Sequence, residues 1–200
     1  MILLIIRHGE SEADLLDVHE GRADFPLTER GHLQAESMAV HVSNQFTVSK
    51  IYTSPLKRAA QTAQHLAGKV NCRISINDEL MEFNNGLLAG LSRKVAAEKF
   101  PEIGDLPIDR AVYGQETKLD FRKRADIALE TIIADAESND VIAVITHGGM
   151  INQMYRSILK LPVDCNQFFG TGDTGIHVWK IENELTRIIK ANMTEHAFGI

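Results

Sequence analysis

The chain has 200 residues, of which 44% are hydrophobic and 24% are charged. This length is typical of one domain whose core needs no disulfide or metal, and the composition excludes disordered, collagen-like and coiled-coil proteins. The net charge is −6 and the isoelectric point is about 5.7, so we expect no binding to nucleic acid or to an anionic membrane.

Two features bear on location and metals. Cys72 and Cys165 show no metal-ligand spacing, and we interpret them as reduced thiols of a cytoplasmic protein. The apolar run at 1–6 is too short to span a membrane and lacks the flanking residues of a signal peptide. We therefore expect no metal and no membrane contact, while the oligomeric state is not predicted by the sequence.

Short apolar runs alternate with helical patterns along the chain. Runs typical of strands occupy 1–6, 50–53, 72–76 and 141–145, and a hairpin is predicted from 176–181 and 185–191, with Glu182, Asn183 and Glu184 between. Helices are predicted from Thr28 to about 46, from 54 to about 67, near 92–99, over 121–132, and from 149 to about 159. Thr28 and Ser54 are the predicted N-caps of the first two helices, with Pro55 at the first position of the second.

This alternation indicates an α/β fold. We expect a three-layer α/β/α sandwich with a mostly parallel central sheet and an antiparallel edge strand, built from one domain over 1–200. The segment 83–116 is rich in glycine and proline and is the least regular part of the chain. We predict that it forms a lid over a ligand site.

Charged side chains follow the predicted strands at the points where these strands end. Arg7 and His8 follow the first strand, Glu82 follows the third, His147 follows the fourth, and Arg58 lies early in the helix after the second. Because ligands of such sheets bind beyond the carboxyl ends of the strands, we expect these side chains to converge. Each alone is an ordinary residue, but charge placed directly after a buried strand is costly unless it is paired.

Together these residues have the chemistry of a phosphoryl-transfer site. Arginine forks match phosphate oxygens, and helix N-termini after Ser54 and His147 would add backbone N–H donors. A neutral imidazole can attack phosphorus, and a nearby carboxylic acid can protonate the leaving alkoxide. Enzymes accelerate phosphate-monoester hydrolysis by up to about 10²¹-fold, which requires several such groups acting together.

Four blocks of sequence, taken in order, resemble the histidine phosphatase superfamily and its phosphoglycerate-mutase-like branch. The resemblance extends from residue 1 to about 180 and rests on Arg7-His8-Gly9-Glu10, on Ser54-Pro55-Leu56-Lys57-Arg58-Ala59 with Gln61-Thr62-Ala63, on Glu82 with Gly86 and Gly90, and on His147-Gly148-Gly149. Arg-His-Gly alone is a weak signal, whereas the four blocks in this order are a specific one.

The resemblance implies a metal-independent phosphomonoesterase that hydrolyses a small phosphorylated metabolite and uses no cofactor. His8 would be the nucleophile and carry a transient phosphoryl group, and Glu82 would be the general acid and then the base. The phosphoryl oxygens would be bound by Arg7, Arg58 and His147. Further phosphate or substrate contacts are expected from Gly148, Asp14, Gly21 and Arg22.

Two departures from the family pattern bear on the reaction. Asp14 stands where the family usually has Asn, and two like charges about 4 Å apart at an effective dielectric of about 20 repel by roughly 4 kcal/mol. Asp14 must therefore turn away from the phosphate, pair with an arginine or be protonated. Glu20 stands where the mutases have Thr and should repel the carboxylate of phosphoglycerate. The stretch between Glu82 and His147 is also shorter than in those mutases, which favours water as the phosphoryl acceptor.

Other functions stay open at this point. One is phosphoglycerate mutase-type transfer, and another is a catalytically weak protein that binds phosphoryl groups. A serine hydrolase is a third, because 9–13 nearly matches G-x-S-x-G. An acidic stretch forms either a cation site or a solvated loop: Asp14, Asp17, His19, Glu20 and Asp24. Three residues of the irregular segment either contact substrate or lie on its surface: Arg93, Arg110 and Tyr113.

Overall fold

The computed structural model describes residues 1–182 and 185–200. Within these ranges the strands are β1 (Ile2–Arg7), β2 (Lys50–Thr53), β3 (Ile74–Ile76), β4 (Val141–Thr146), β5 (Ile176–Glu182) and β6 (Leu185–Met193). The helices are α1 (Glu12–Leu16), α2 (Glu29–Gln45), α3 (Lys57–Val70), α4 (Arg93–Lys99), α5 (Lys118–Ala134) and α6 (Gly148–Ile158). Short 3-10 turns occupy Asp78–Leu80, Gly86–Leu88 and Glu195–Ala197. No helix of the described ranges is both long and apolar enough to cross a membrane.

The strands form one sheet in the order β3-β2-β4-β1-β5-β6. β1 pairs with β4, and β2 with both β3 and β4, in parallel, whereas β5 pairs antiparallel with β1 and β6. The predicted mostly parallel sheet with an antiparallel edge is therefore confirmed, and so is the pairing of the two hairpin strands. Two of the residues predicted between those strands, Asn183 and Glu184, lie outside the described residues.

The side chains of β1 show why the sheet carries helices on both faces. Leu3 and Ile5 point into a core formed with α5 and α6, and Leu4 and Ile6 point into a second core formed with α2 and α3. All four side chains are fully buried. Since successive side chains of a strand point to opposite faces, an unbroken apolar run needs cover on both sides. The predicted three-layer α/β/α sandwich is confirmed.

The N-terminus of α2 matches its prediction, whereas that of α3 does not. Thr28 is the N-cap of α2, and its hydroxyl accepts a hydrogen bond from the N–H of Gly31 at 2.9 Å. The prediction that Ser54 caps α3 is wrong, because the helix begins later, with Leu56 as its N-cap. The hydroxyl of Ser54 instead lies 2.8 Å from Nε2 of His147.

The loop after β1 packs directly against the first turn of α2. A Cβ atom at Gly31 would overlap the carbonyl oxygen of Glu10, and one at Gly9 would overlap the carbonyl oxygen of Gly31. Glycine at both positions lets the two backbones touch. This contact fixes the course of the chain immediately after His8.

We predict that Gly31→Ala destabilises the protein by about 1–3 kcal/mol, because the added methyl group must displace backbone rather than a flexible side chain. Gly68→Ala in α3 is the matched control, since nothing lies within 4 Å of its Cβ position. There we expect a gain of about 0.5–1 kcal/mol from helix propensity. Urea unfolding measures both changes, and equal stability of the two variants would contradict the tight packing at Gly31.

Candidate active site

The two predicted histidines meet at the carboxyl ends of neighbouring strands. His8 follows β1 and His147 follows β4, and the centroids of their rings lie 5.1 Å apart. Arg58 reaches them from the first turn of α3. All three side chains are buried. The structure thus brings these three residues together at one edge of the sheet.

Two hydrogen bonds fix the protonation of His8. Its Nδ1 lies 2.7 Å from the carbonyl oxygen of Gly9, which can only accept, so Nδ1 carries the proton. Nε2 therefore holds the lone pair, and it accepts a hydrogen bond from Nε of Arg58 at 3.2 Å. Burial, followed by the charges of Arg58 and Arg7, holds the pKa of His8 well below its usual value. The imidazole is neutral, as a nucleophile must be.

Ser54 contacts the ring of His147. Its hydroxyl accepts from the N–H of Leu56 at 3.3 Å and lies 2.8 Å from Nε2 of His147. When Ser54 donates its proton to Nε2, the proton of His147 is on Nδ1, a buried atom that has no partner among the described residues. Burial, followed by the charge of Arg58, holds the pKa of His147 well below its usual value. An unpaired buried donor is costly, and an anion beside it would satisfy it.

Backbone carbonyl groups hold the guanidinium of Arg58. It donates from Nη1 to Ala23 at 3.0 Å and from Nη2 to Gly21 at 2.8 Å. Gly21 has φ +48°, and a Cβ atom there would overlap the side chain of Asn85. Glycine at this position permits the turn that brings the two carbonyl groups to Arg58.

Arg7 is held at the other side of the histidine pair. Its Nη1 donates to the carbonyl oxygen of Thr171 at 2.9 Å and lies 3.3 Å from a carboxylate oxygen of Asp173. Its Nε is buried and has no partner in the described part of the chain. A Cβ atom at Gly148 would lie 3.8 Å from this Nε, so Arg7 lies beside the first residue of α6.

Glu82 lies at the N-terminus of α6. Its two carboxylate oxygens accept hydrogen bonds from the N–H of Phe83 at 2.8 Å and of Gly149 at 2.9 Å. A Cβ atom at position 149 would overlap this carboxylate, so glycine there leaves room for Glu82 in the position observed. Thr146 at the end of β4 donates to the carbonyl oxygen of Leu80 at 2.7 Å and ties the strand to the turn before Glu82.

Arg124 of α5 holds the segment that carries Glu82. Its guanidinium donates to the carbonyl oxygens of Glu79 at 2.8 Å, Met81 at 2.9 Å and Glu82 at 3.2 Å. It also donates to both carboxylate oxygens of Glu116, at 3.0 and 2.7 Å. No local sequence pattern marks Arg124, since an arginine on an amphipathic helix usually faces solvent.

Asp14 and Arg22, both predicted to contact substrate, are engaged with the protein. Asp14 is exposed and caps α1, where one carboxylate oxygen accepts from the N–H of Ser11 at 2.9 Å and from its hydroxyl at 3.2 Å. Nε of Arg22 lies 3.5 Å from the carbonyl oxygen of Glu82, and Nη2 lies 3.9 Å from the carboxylate of Glu116. Arg22 therefore lies over the segment that carries Glu82.

Most of the acidic stretch after β1 is paired with basic groups or backbone donors. Asp17 lies 2.8 Å from Nε of Arg93. Asp24 accepts a hydrogen bond from the N–H of Lys57 at 2.7 Å, so this expected phosphate donor at the start of α3 is occupied. In the residues that the structure describes, no group of three or more His, Cys, Asp or Glu side chains could hold a metal ion.

The carboxyl group of Glu20 lies inside the site. Its Oε1 is 3.1 Å from Nε of Arg58 and 2.5 Å from the hydroxyl of Ser11. The side chain is 19% exposed. Burial raises the pKa of Glu20, and the charge of Arg58 opposes that rise.

The irregular segment 83–116 encloses a cavity of about 470 Å³. Its apolar lining comes mainly from Leu88, Phe100, Ile103, Leu106, Val112 and Tyr113. His19, Asn85 and Arg93 line both this cavity and a second cleft that reaches Glu20. Tyr113 donates to the carbonyl oxygen of Pro101 at 2.9 Å, and Arg110 is exposed.

Comparison with known proteins identifies the family. Residues 3–194 match the model of the histidine phosphatase superfamily, branch 1. The chain is 30% identical to phosphoserine phosphatase 1 of Hydrogenobacter thermophilus, over 97% of this chain and 93% of that protein. It is also similar to the phosphoserine phosphatase of Entamoeba histolytica solved in complex with 3-phosphoglyceric acid, with 25% identity, a TM-score of 0.80 and 98% of both chains covered.

A further solved structure shows the same fold. It is YhfR of Bacillus stearothermophilus, which superposes with a TM-score of 0.87 over 98% of both chains at 21% identity. The chain belongs to the histidine phosphatase superfamily, as its sequence blocks indicated. It is a phosphatase of small phosphorylated metabolites.

We predict that Arg124→Met destabilises the protein by about 3 kcal/mol, because Glu116 and three carbonyl groups lose a partly buried partner. Arg122→Met on the same helix is the control, since among the described residues Arg122 makes fewer contacts, to Asp126 and to the carbonyl oxygen of Leu161. There we expect a loss of about 1 kcal/mol. Urea unfolding of both variants provides the measurement, and a smaller loss for Arg124→Met than for the control would contradict the role described.

Proposed function

We propose that this phosphatase transfers the phosphoryl group of its substrate to Nε2 of His8 and then to water. The observation that carries the proposal is a pair of buried side-chain nitrogens, Nε of Arg7 and Nδ1 of His147, which lack a partner among residues 1–182 and 185–200. They lie beside a neutral histidine whose lone pair is on Nε2. Fixed donors in a buried site stabilise the charge that develops on phosphoryl oxygens.

In the first step, Nε2 of His8 attacks phosphorus, and the bond between phosphorus and the substrate oxygen breaks. The N–H of Arg58 that binds the His8 lone pair turns to a phosphoryl oxygen first, since one lone pair cannot serve both. Glu82 gives its proton to the leaving oxygen, so the organic product leaves as a neutral alcohol. Charge on the transferred group is balanced by Arg7 and Arg58.

In the second step, water replaces the organic product. The carboxylate of Glu82 accepts a proton from that water while its oxygen bonds to phosphorus and the bond from phosphorus to Nε2 of His8 breaks. Inorganic phosphate leaves, and both His8 and Glu82 return to their starting protonation. Burial holds the pKa of His8 well below the usual value of a histidine. Protonation of the nucleophile therefore does not limit the reaction at mildly acidic pH.

We assign the organic part of the substrate to the cavity of the segment 83–116, which would act as the lid. One cleft reaches from Glu20 to this cavity past the shared side chains of His19, Asn85 and Arg93. The lining of the cavity combines an apolar surface, which suits a carbon skeleton, with the charged side chains of Arg93 and Glu102. The cytoplasmic location and the lack of nucleic-acid binding stay predictions from the sequence.

The alternatives receive less support. Ser11, the candidate nucleophile of a serine hydrolase, has its hydroxyl bonded to the carboxyl groups of Glu20 and Asp14. Mutase-type transfer would need room for a second anionic group, and the Glu20 carboxyl group lies against Arg58. A protein that only binds phosphoryl groups would not need Glu82 fixed by two backbone donors.

The proposal predicts an acid-labile phosphoenzyme that forms with the wild type and is absent from His8→Ala. Glu82→Gln should lower kcat for an alkyl phosphate by about 10²–10⁴-fold, because an alkoxide leaves poorly without a proton. The rate of phosphoenzyme formation should fall much less for p-nitrophenyl phosphate, whose leaving group is stable as an anion, whereas hydrolysis of the phosphoenzyme needs Glu82 for both substrates. Rapid-quench labelling and steady-state assays without added metal provide the measurements.

Glu79→Gln serves as the control, because it changes a carboxyl group of the same segment. Glu79 contacts Arg124 through its backbone carbonyl oxygen, which the substitution does not alter. It should leave both rates close to wild type. Persistence of the phosphoenzyme in His8→Ala would refute the proposed nucleophile. Recovery of the label on added phosphoglycerate, rather than as inorganic phosphate, would favour the mutase instead.

A further inference from the structure

One carboxyl group of the site has no task in the reaction described above. Glu20 lies 3.1 Å from Nε of Arg58, the same atom that donates to the lone pair of His8. Glu20 therefore lies where a phosphoryl oxygen bound by Arg58 would be its immediate neighbour. The protonation of this group decides whether it attracts or repels that oxygen.

The hydrogen bonds of Ser11 give a first indication of that protonation. Its hydroxyl lies 2.5 Å from Oε1 of Glu20 and 3.2 Å from a carboxylate oxygen of Asp14. A hydroxyl has one proton to donate, and an ionised carboxylate can only accept. The 2.5 Å contact is therefore the hydrogen bond that an ionised Glu20 accepts from Ser11. A proton taken up at the other carboxyl oxygen of Glu20 leaves this bond intact and is available to a phosphoryl oxygen. Burial favours the protonated form, because it raises the pKa of Glu20.

The charges around Glu20 give a second indication. Three charged groups from neighbouring elements act on Glu20: Arg58 of α3, Asp14 of α1 and Arg7 of β1. Three more titratable groups line its cleft: Asp17, His19 and Arg93. Asp17 and Arg93 are paired with each other, and Asp173 is near Arg7. Glu20 and Asp14 both act on the Arg58 guanidinium, so an ionised Glu20 lowers the positive charge that a phosphate dianion would meet there.

We propose that Glu20 is a phosphate-binding residue that works in its uncharged form. When a phosphoryl group binds, Glu20 takes up one proton from solvent and donates it in a hydrogen bond to a phosphoryl oxygen, while Arg58 turns from Glu20 to the phosphate. No covalent bond changes other than the new O–H bond of the carboxyl group. The inference rests on the proposed function, because it assumes that the phosphoryl group lies against Arg58.

The linkage between proton and phosphate is measurable with inorganic phosphate as the ligand. Calorimetric titrations in two buffers of different ionisation enthalpy give the number of protons taken up on binding. At pH 8 we expect the wild type to take up about one proton more than Glu20→Gln, which keeps the size of the side chain and a permanent N–H donor. The ionisation of phosphate itself is common to both proteins and cancels in the difference.

The same linkage predicts the affinities. Glu20→Gln should bind phosphate about tenfold more tightly than the wild type at pH 8, and the difference should shrink as the pH falls and Glu20 gains its proton. Asp17→Asn is the matched control: Asp17 is an exposed acid of the same cleft, and its φ of 49° is one that Asn tolerates. It should bind phosphate as the wild type does at both pH values.

Equal proton uptake by the wild type and Glu20→Gln would overturn the proposal, as would weaker phosphate binding by Glu20→Gln at pH 8. Should that variant fail to fold, infrared difference spectra of the wild type decide the matter, because phosphate must produce the C=O band of a protonated carboxyl group. Absence of that band would also overturn the proposal. Failure of the Glu20 proposal leaves the His8 phosphoenzyme intact, whereas failure of the proposed function removes it.

Discussion

The site depends on a guanidinium that is wholly removed from water. Moving such a charge out of solvent costs several kcal/mol, so the chain around Arg58 must supply compensating partners. Two backbone carbonyl groups, a histidine nitrogen and a carboxyl group do so. The turn at Gly21 directs the carbonyl groups of Gly21 and Ala23 inward, toward Arg58. The hydrogen bonds that compensate the buried charge of Arg58 therefore constrain the loop after α1 as well as the proposed position of the phosphate.

The residues proposed for the chemistry are held mainly by main-chain groups. Glu82 is bonded to the N–H groups of two residues, and the segment before it is bonded through its carbonyl groups to Arg124 and Thr146. Fixed backbone dipoles do not have to reorganise when charge moves during a reaction. Glycine at position 149 lets its N–H approach the carboxylate of Glu82 closely.

Local patterns were sufficient to predict the sheet and the groups at its edge. The unbroken apolar run at 1–6 predicts a strand covered on both faces. Arg7, His8 and His147 were predicted as site residues because they lie where strands end. The pattern Ser-x-x-Asp at Ser11 and Asp14 signals a helix start and could have revealed α1. Arg124 and the hydroxyl of Ser54 could not be assigned in this way, because their partners are distant in sequence and are brought near only by the completed fold.

The hydrogen bond between Nε of Arg58 and Nε2 of His8 has a consequence for chemical selectivity. While this bond is made the nucleophilic electron pair is covered, so alkylating agents and other electrophiles meet an imidazole with little reactivity. Only a ligand that draws the guanidinium away exposes the pair, and a tetrahedral oxyanion is suited to do that. Recognition of the correct group and release of the attacking atom are therefore a single event.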